Sequence, residues 1–143
     1  MRIDQLSVFL ENKPGMLCDM AGILAENEID ISSISLADTS GFGIVRLIVN
    51  DPQKAKDILG CAGIVGKITP VSALAMNDSP GSLSGILQLL ADEKINVEYM
   101  YACVSPRSGQ ALMVMQTDDI AKTERVLDRN HLNSVSPADI YRI

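Results

Sequence analysis

Residues 11–17 read ENKPGML and residues 77–83 read NDSPGSL. The same Pro-Gly corner occurs twice, after Asn12 in one copy and after Asp78 in the other. Placing Pro14 on Pro80 gives an offset of 66 (80 − 14), which also matches Gly15 to Gly81, Leu17 to Leu83, Leu24 to Leu90, Ala25 to Ala91 and Ile29 to Ile95. Leu17, Met20, Ala21 and Leu24 fall at i, i+3, i+4 and i+7, as do Leu83, Ile86, Leu87 and Leu90. This spacing predicts an amphipathic helix after each corner, with the same four positions buried in both copies.

Moving outward, each helix runs into a polar corner, AENEID or ADEKIN, and then into the extended-looking IDISSISLA (29–37) and INVEYMYACV (95–104). β-branched and aromatic residues there favour a pleated surface. Turn-rich gaps follow, DTSGFG and SPRSGQ, and then IVRLIV (44–49) and ALMVMQ (111–116), matched at an offset of 67 (111 − 44). The second gap is therefore expected to be one residue longer, a change a hairpin loop absorbs and a strand does not. Asn50-Asp51-Pro52 and Thr117-Asp118-Asp119 supply helix-start chemistry for a second helix in each copy.

The pattern in each copy is strand, helix, strand, strand, helix, strand. The expected fold is α+β: two tandem βαββαβ ferredoxin-like units, residues 1–67 and 68–143, each an antiparallel sheet with both helices on one face. The join is ambiguous. KITPVSALAM (67–76) aligns with the amino-terminal strand IDQLSVFL, yet its Thr69-Pro70 echoes Ser136-Pro137 in the expected closing strand SPADIYRI (136–143). Three copies of one strand type serve two helical units, so residues 67–76 can close the first sheet, open the second, or be exchanged between them. Pro70 and Pro137 suit an edge or a strand start, since neither donates a ladder hydrogen bond.

Composition narrows the partners. The 143 residues are 47% hydrophobic, enough for one ordinary domain or two very small ones. A net charge of −6 with 3% aromatic residues argues against nucleic acid and anionic membrane, which call for a basic field and, for single-stranded RNA, stacking platforms. Cys18, Cys61 and Cys103 form no CxxC and leave an odd thiol, so neither a disulfide frame nor a metal site is expected, and a reducing cytoplasm fits. No basic-then-apolar leader and no apolar run of membrane-spanning length stands out. No cofactor loop or nucleophile-base pair is found either, so no catalysis is expected.

Asn12-Lys13-Pro14-Gly15-Met16-Leu17 and Asp78-Ser79-Pro80-Gly81-Ser82-Leu83 resemble the (D/N)-x-P-G-x-L corner of ACT domains, small-molecule-sensing modules attached to many enzymes of amino-acid metabolism. INVEYMYA (95–102) is similar to the second strand of stand-alone proteins made of an ACT pair. The resemblance covers nearly the whole chain. It implies a free amino acid as ligand, bound where two ACT units meet, by the corner of one unit and the second strand of its neighbour. Carried onto this sequence, the site comprises Asn12, Pro14, Gly15, Met16 and Leu17, then Asp78, Pro80, Gly81, Ser82 and Leu83, with Ser33, Ser35, Tyr99 and Tyr101 on the second strands.

Physical chemistry independently suits the corner to this ligand. Glycine lets a ligand approach the backbone, proline presets the turn, and the first free helix amides offer a seat for a carboxylate. An α-amino group needs an acceptor, which Asp78 supplies as a full charge and Asn12 as an amide oxygen. The two corners are thus expected to differ electrostatically. Pro-Gly after Asn or Asp is also ordinary turn chemistry, so the alternative is a ligand-free interaction or scaffold module with the same fold. A small enzyme completed by dimerisation is a weaker third reading. His131 is expected at a solvated helix end, Cys18 as a small packing residue, Asp118 and Asp119 as helix caps, and Met100, Met113 and Met115 as core or sheet filling. Arg46 interrupts an apolar run, where it meets solvent or a partner. The resulting expectation is a non-catalytic amino-acid sensor that forms a homodimer or docks on a metabolic enzyme.

Overall fold

Both Pro-Gly corners open a helix, and both polar Asp-containing stretches open another. The computed structural model describes residues 1–39, 41–104, 108–132 and 135–141. In chain order the elements are β1 (Arg2–Glu11), α1 (Met16–Glu26), β2 (Ile31–Thr39), β3 (Phe42–Val49), α2 (Pro52–Cys61) and β4 (Gly66–Asn77). They continue with α3 (Ser82–Asp92), β5 (Val97–Cys103), β6 (Gln110–Thr117), α4 (Ile120–Arg129) and α5 (Pro137–Tyr141). Of the gaps and tails read above, Ser40, Ser105, Pro106, Arg107, Asn133, Ser134, Arg142 and Ile143 lie outside the described residues. The chain forms two ferredoxin-like units, one built on Asp4–Thr69 and the other on Met1–Ile3 with Pro70–Ile140.

In the first unit β3 lies between β2 and β1, antiparallel to both. The start of β4 flanks β1, and just before it the Phe9 amide donates to the Val65 carbonyl at 3.1 Å. Leu6, Val8 and Leu10 of β1 and Val45 and Leu47 of β3 pack against Met20 and Leu24 of α1 and Ala55 and Leu59 of α2. Alternation along each strand puts these residues on one face, and both helices cover that face.

The second unit repeats the plan. β6 lies between β4 and β5, antiparallel to both, and Leu74 and Met115 pack against Ile86, Leu90, Val126 and Leu127. Its fourth strand position is taken by residues 1–3: the Ala73 amide donates to the Met1 carbonyl, and the Met1 amino group to the Ala73 carbonyl, each at 2.7 Å. β4 is a single strand whose residues divide between the units at Thr69 and Pro70.

Three expectations need correction. Of the expected closing strand 136–143, the described residues do not form a strand, because Pro137–Tyr141 is a helix. Asp139 Oδ2 accepts from the Ser136 amide at 2.9 Å and from its hydroxyl at 2.7 Å, while the Asp139 amide donates back to Ser136 Oγ at 3.2 Å. Ser-Pro-x-Asp is thus a reciprocal helix start with proline at the first helical position. The hairpin gap grows by two residues rather than one. Glu11 pairs Phe42 and Asn77 pairs Gln110, so the first strands match at 66 (77 − 11) and the third strands at 68 (110 − 42). An odd slip would have turned every side chain of β6 to the wrong face, whereas an even one preserves the core. Finally, Leu17 and Leu83 are each 37% exposed. The buried helix positions are Met20 and Leu24, and Ile86 and Leu90.

The second helices show the repeat at atomic detail. Asp51 caps α2 by accepting from the Lys54 amide at 3.0 Å, and Asp119 caps α4 by accepting from the Lys122 amide at 2.9 Å. Asp118 does not cap a helix. Its Oδ1 accepts from the Asn96 amide at 3.0 Å, as Asn50 Oδ1 accepts from the Asp30 amide at 3.0 Å, tying the start of the second strand to the end of the third.

Candidate functional site

The Pro-Gly corners differ from the other helix starts in how they are capped. Gly15 has φ 89° and ψ −22°, Gly81 has φ 91° and ψ −17°, and neither helix has a side-chain cap. Left-handed backbone at the N-cap position is the physical reason for glycine here, because a side chain would be strained whatever the space around it. A Cβ at either position would meet nothing within 4 Å, so the backbone of both corners is open to approach. The first-turn amides of α1 and α3 are left without the carboxylate partner that Asp51 and Asp119 give α2 and α4.

Each corner is anchored to its own hairpin. The Asn12 amide donates to the Gly41 carbonyl at 3.5 Å, and the Asp78 amide to the Gly109 carbonyl at 2.9 Å. Their surroundings differ in charge. Glu11 and Lys13 form an exposed ion pair of 2.8 Å beside Asn12, whose hydrogen bond and charge draw the Glu11 carboxyl below its ordinary range and push the Lys13 ammonium above its own. In the second corner the equivalent positions are Asn77 and Ser79, and Ser79 Oγ shares a hydrogen bond of 2.9 Å with Ser82 Oγ. Asp78 there is exposed and carries the only formal charge of residues 77–83.

The second-strand residues stand elsewhere within each unit. Ser35 pairs Arg46 and Ser33 pairs Ile48, whereas the intervening Ile34 pairs Leu47 and the following Leu36 pairs Val45, both of the core row. Ser33 and Ser35 therefore lie on the sheet face away from the helices. Tyr99 and Tyr101, paired with Gln116 and Val114, occupy the same face of the second unit. Within a unit, then, the corners and the second-strand residues are not brought together. At the first corner the β2 residue that approaches is Leu36, which lines a niche of only about 50 Å³ with Asn12, Met16 and Leu17. Both second strands also carry a β-bulge, at Ser32 and at Glu98, that the sequence pattern concealed. The two bulged residues share no chemistry: Ser32 is buried with its hydroxyl unpartnered, and Glu98 is exposed.

Larger clefts lie along the helices of both units, and two of them adjoin the starts of α1 and α3. The first, about 610 Å³, is lined by Met16, Cys18, Asp19, Ile23, Glu26 and Ile64 among others. The second, about 490 Å³, starts at Gly81 and Ser82, passes Gly85 and Leu89, and takes in Gln110, Asn130 and Leu132. Gln110 Oε1 is buried there without a hydrogen-bond partner. Sequence reasoning missed Gln110 and Asn130, since their counterparts at offset 68, Phe42 and Ala62, share no chemistry with them. His131 behaves as expected, exposed at φ 56° just past α4, and Met100, Met113 and Met115 fill the second core. Cys18 is exposed rather than packed. Among the described residues no cluster of His, Cys, Asp and Glu could hold a metal, and no helix is long and apolar enough to cross a membrane.

The same corner thus recurs in two ferredoxin-like units. The family model of the ACT domain pair matches residues 1–143, and the chain belongs to that family. Among solved structures, protein BT0572 from Bacteroides thetaiotaomicron is 33% identical, with a TM-score of 0.92 over 100% of this chain and 98% of that one. The ligand-free regulatory subunit of aspartate kinase from Thermus thermophilus shares the fold at 16% identity, with a TM-score of 0.66 over 92% of this chain and 93% of that one. The corresponding regulatory subunit from Thermus flavus gives a TM-score of 0.60 at 15% identity, over 92% and 95%. No curated protein matches.

Proposed function

We propose that the chain is a non-catalytic cytoplasmic sensor of a free amino acid. Its ligand sits at a Pro-Gly corner, with the α-carboxylate on the uncapped amides of the helix and the α-amino group near Asn12 or Asp78. Another ACT unit completes the site with its second strand, as the resemblance implies. One observation carries this reading: the two helices that begin at Pro-Gly corners have left-handed glycine and no side-chain cap, while the two equivalent second helices are both capped by aspartate. Ligand binding shifts the chain between states that differ in association with a second copy or with an enzyme of amino-acid metabolism. The fold shared with aspartate kinase regulatory subunits supports a regulatory role of this kind.

A thermal-shift panel of the twenty amino acids, each at millimolar concentration, tests the proposal. Ligand at 100 times its dissociation constant stabilises the folded chain by about 2.7 kcal/mol. One or two stabilising amino acids are expected, and a flat panel on folded protein would overturn the sensor. A ligand-free interaction module is the second reading, favoured by the exposure of Leu17, Leu83, Ile34 and Leu36.

A further inference from the structure

We infer that the second corner, not the first, receives the amino acid, and that the cleft beneath it selects an uncharged side chain bearing a hydrogen-bond donor, an amide or a hydroxyl. This rests on the sensor reading above and adds to it the site used and the class of ligand.

The inference comes from how one pair of substitutions between the copies divides the space. In the first unit Met16 lines both the corner niche of about 50 Å³ and the helical cleft of about 610 Å³, so its side chain stands between them. The niche is too small for an amino acid, whereas small-molecule sites commonly span about 300–1,000 Å³. In the second unit Ser82 occupies the position of Met16 and Gly85 that of Asp19. With those side chains short or absent, the corner at Gly81 and the helical cleft become one space of about 490 Å³. A ligand whose carboxylate meets the first turn of α3 can then extend its side chain along the cleft, which the first unit does not allow.

The lining sets the chemistry. The first cleft carries Asp19 and Glu26, but none of the described residues lining the second is charged. An ammonium, guanidinium or carboxylate side chain would lose hydration there with no counter-charge. The cleft is not purely apolar either, because Gln110 Oε1 is buried and accepts no hydrogen bond from the described residues. Such an acceptor favours a ligand that donates to it, and a ligand without a donor leaves it unsatisfied. Leu89, Leu132 and Ile86 supply apolar walls for the aliphatic part of the side chain.

The test uses isothermal titration of the full chain with serine, threonine, asparagine, glutamine, alanine, valine, lysine and glutamate. At least one of the first four is expected to bind, and lysine and glutamate are not. Ser82→Met rebuilds the first-unit arrangement in the second unit and should weaken that binding by at least about tenfold. The change favours the helix, so loss of binding with an unchanged circular dichroism spectrum is not loss of fold. Gln110→Leu should weaken the donor-bearing ligand by about tenfold and leave alanine or valine unaffected. If lysine or glutamate is the ligand, or if Ser82→Met leaves affinity intact, the inference fails while the sensor reading stands. If none of the twenty amino acids binds the folded chain, both fail.

Discussion

At the scale of single residues, the corners turn on two glycines whose backbone, and not their packing, excludes other side chains. Nothing surrounds a Cβ at position 81, so the cost of a substitution there is conformational. We expect Gly81→Asn to destabilise least, Gly81→Ala by about 1–2 kcal/mol and Gly81→Val most, as read from urea denaturation midpoints. An equal cost for all three would show that crowding, not φ, is responsible. Tyr141 offers a second residue-scale test. Its hydroxyl accepts from the Asp4 amide at 3.2 Å, and burial, the largest influence, raises its pKa above the ordinary value near 10. A raised folded pKa means the contribution is intact below about pH 10 and is lost as the pH climbs through the folded value. Stability of the native chain should therefore fall more steeply as the pH rises above about 10 than that of Tyr141→Phe. Matching slopes in denaturant titrations would remove tyrosine ionisation from the account.

At the scale of elements, helix starts come in two kinds, capped by aspartate or opened by a left-handed glycine. Asp51 and Asp119 hold the first turns of α2 and α4 from within the chain. Either residue changed to alanine should cost about 1 kcal/mol, measurable by thermal or chemical denaturation. α1 and α3 have no side-chain cap, so no comparable loss is expected from truncating Asp78. The amphipathic period identified these helices correctly but misjudged their first leucines. Leu17 and Leu83 share the angular stripe of the core positions, yet they lie one turn ahead of it, at the mouth of the corner, where the sheet no longer covers them. The reading of residues 136–143 as a strand failed for a related reason: Ser-Pro-x-Asp carries a local capping signal that outweighed a weak resemblance to Thr69-Pro70.

At the scale of the whole molecule, two units of this size each depend on a small core, and residues distant in sequence complete the second one. Ile3 is 4% exposed and belongs with Pro70–Ile140, not with the strand residues that follow it. Ile3→Ala should cost about 2–5 kcal/mol. Hydrogen exchange should quicken in β4 and β6 of the second unit more than in β2 and β3 of the first. Uniform quickening across both sheets would contradict the assignment of residues 1–3. What the amino-acid order determined by itself was the duplication, the ferredoxin-like plan and the twin corners, because proline, glycine, capping residues and hydrophobic period act over a few neighbours. Only the tertiary structure decided that residues 1–3 stand where a closing strand was expected and that the hairpin grew by an even two. It alone showed that Ser82 lines one cleft where its counterpart Met16 stands between two spaces, and that Gln110 Oε1 is buried without a hydrogen-bond partner among the described residues. Those outcomes depend on which side chains meet across the fold, and no local spacing encodes the volume left between them.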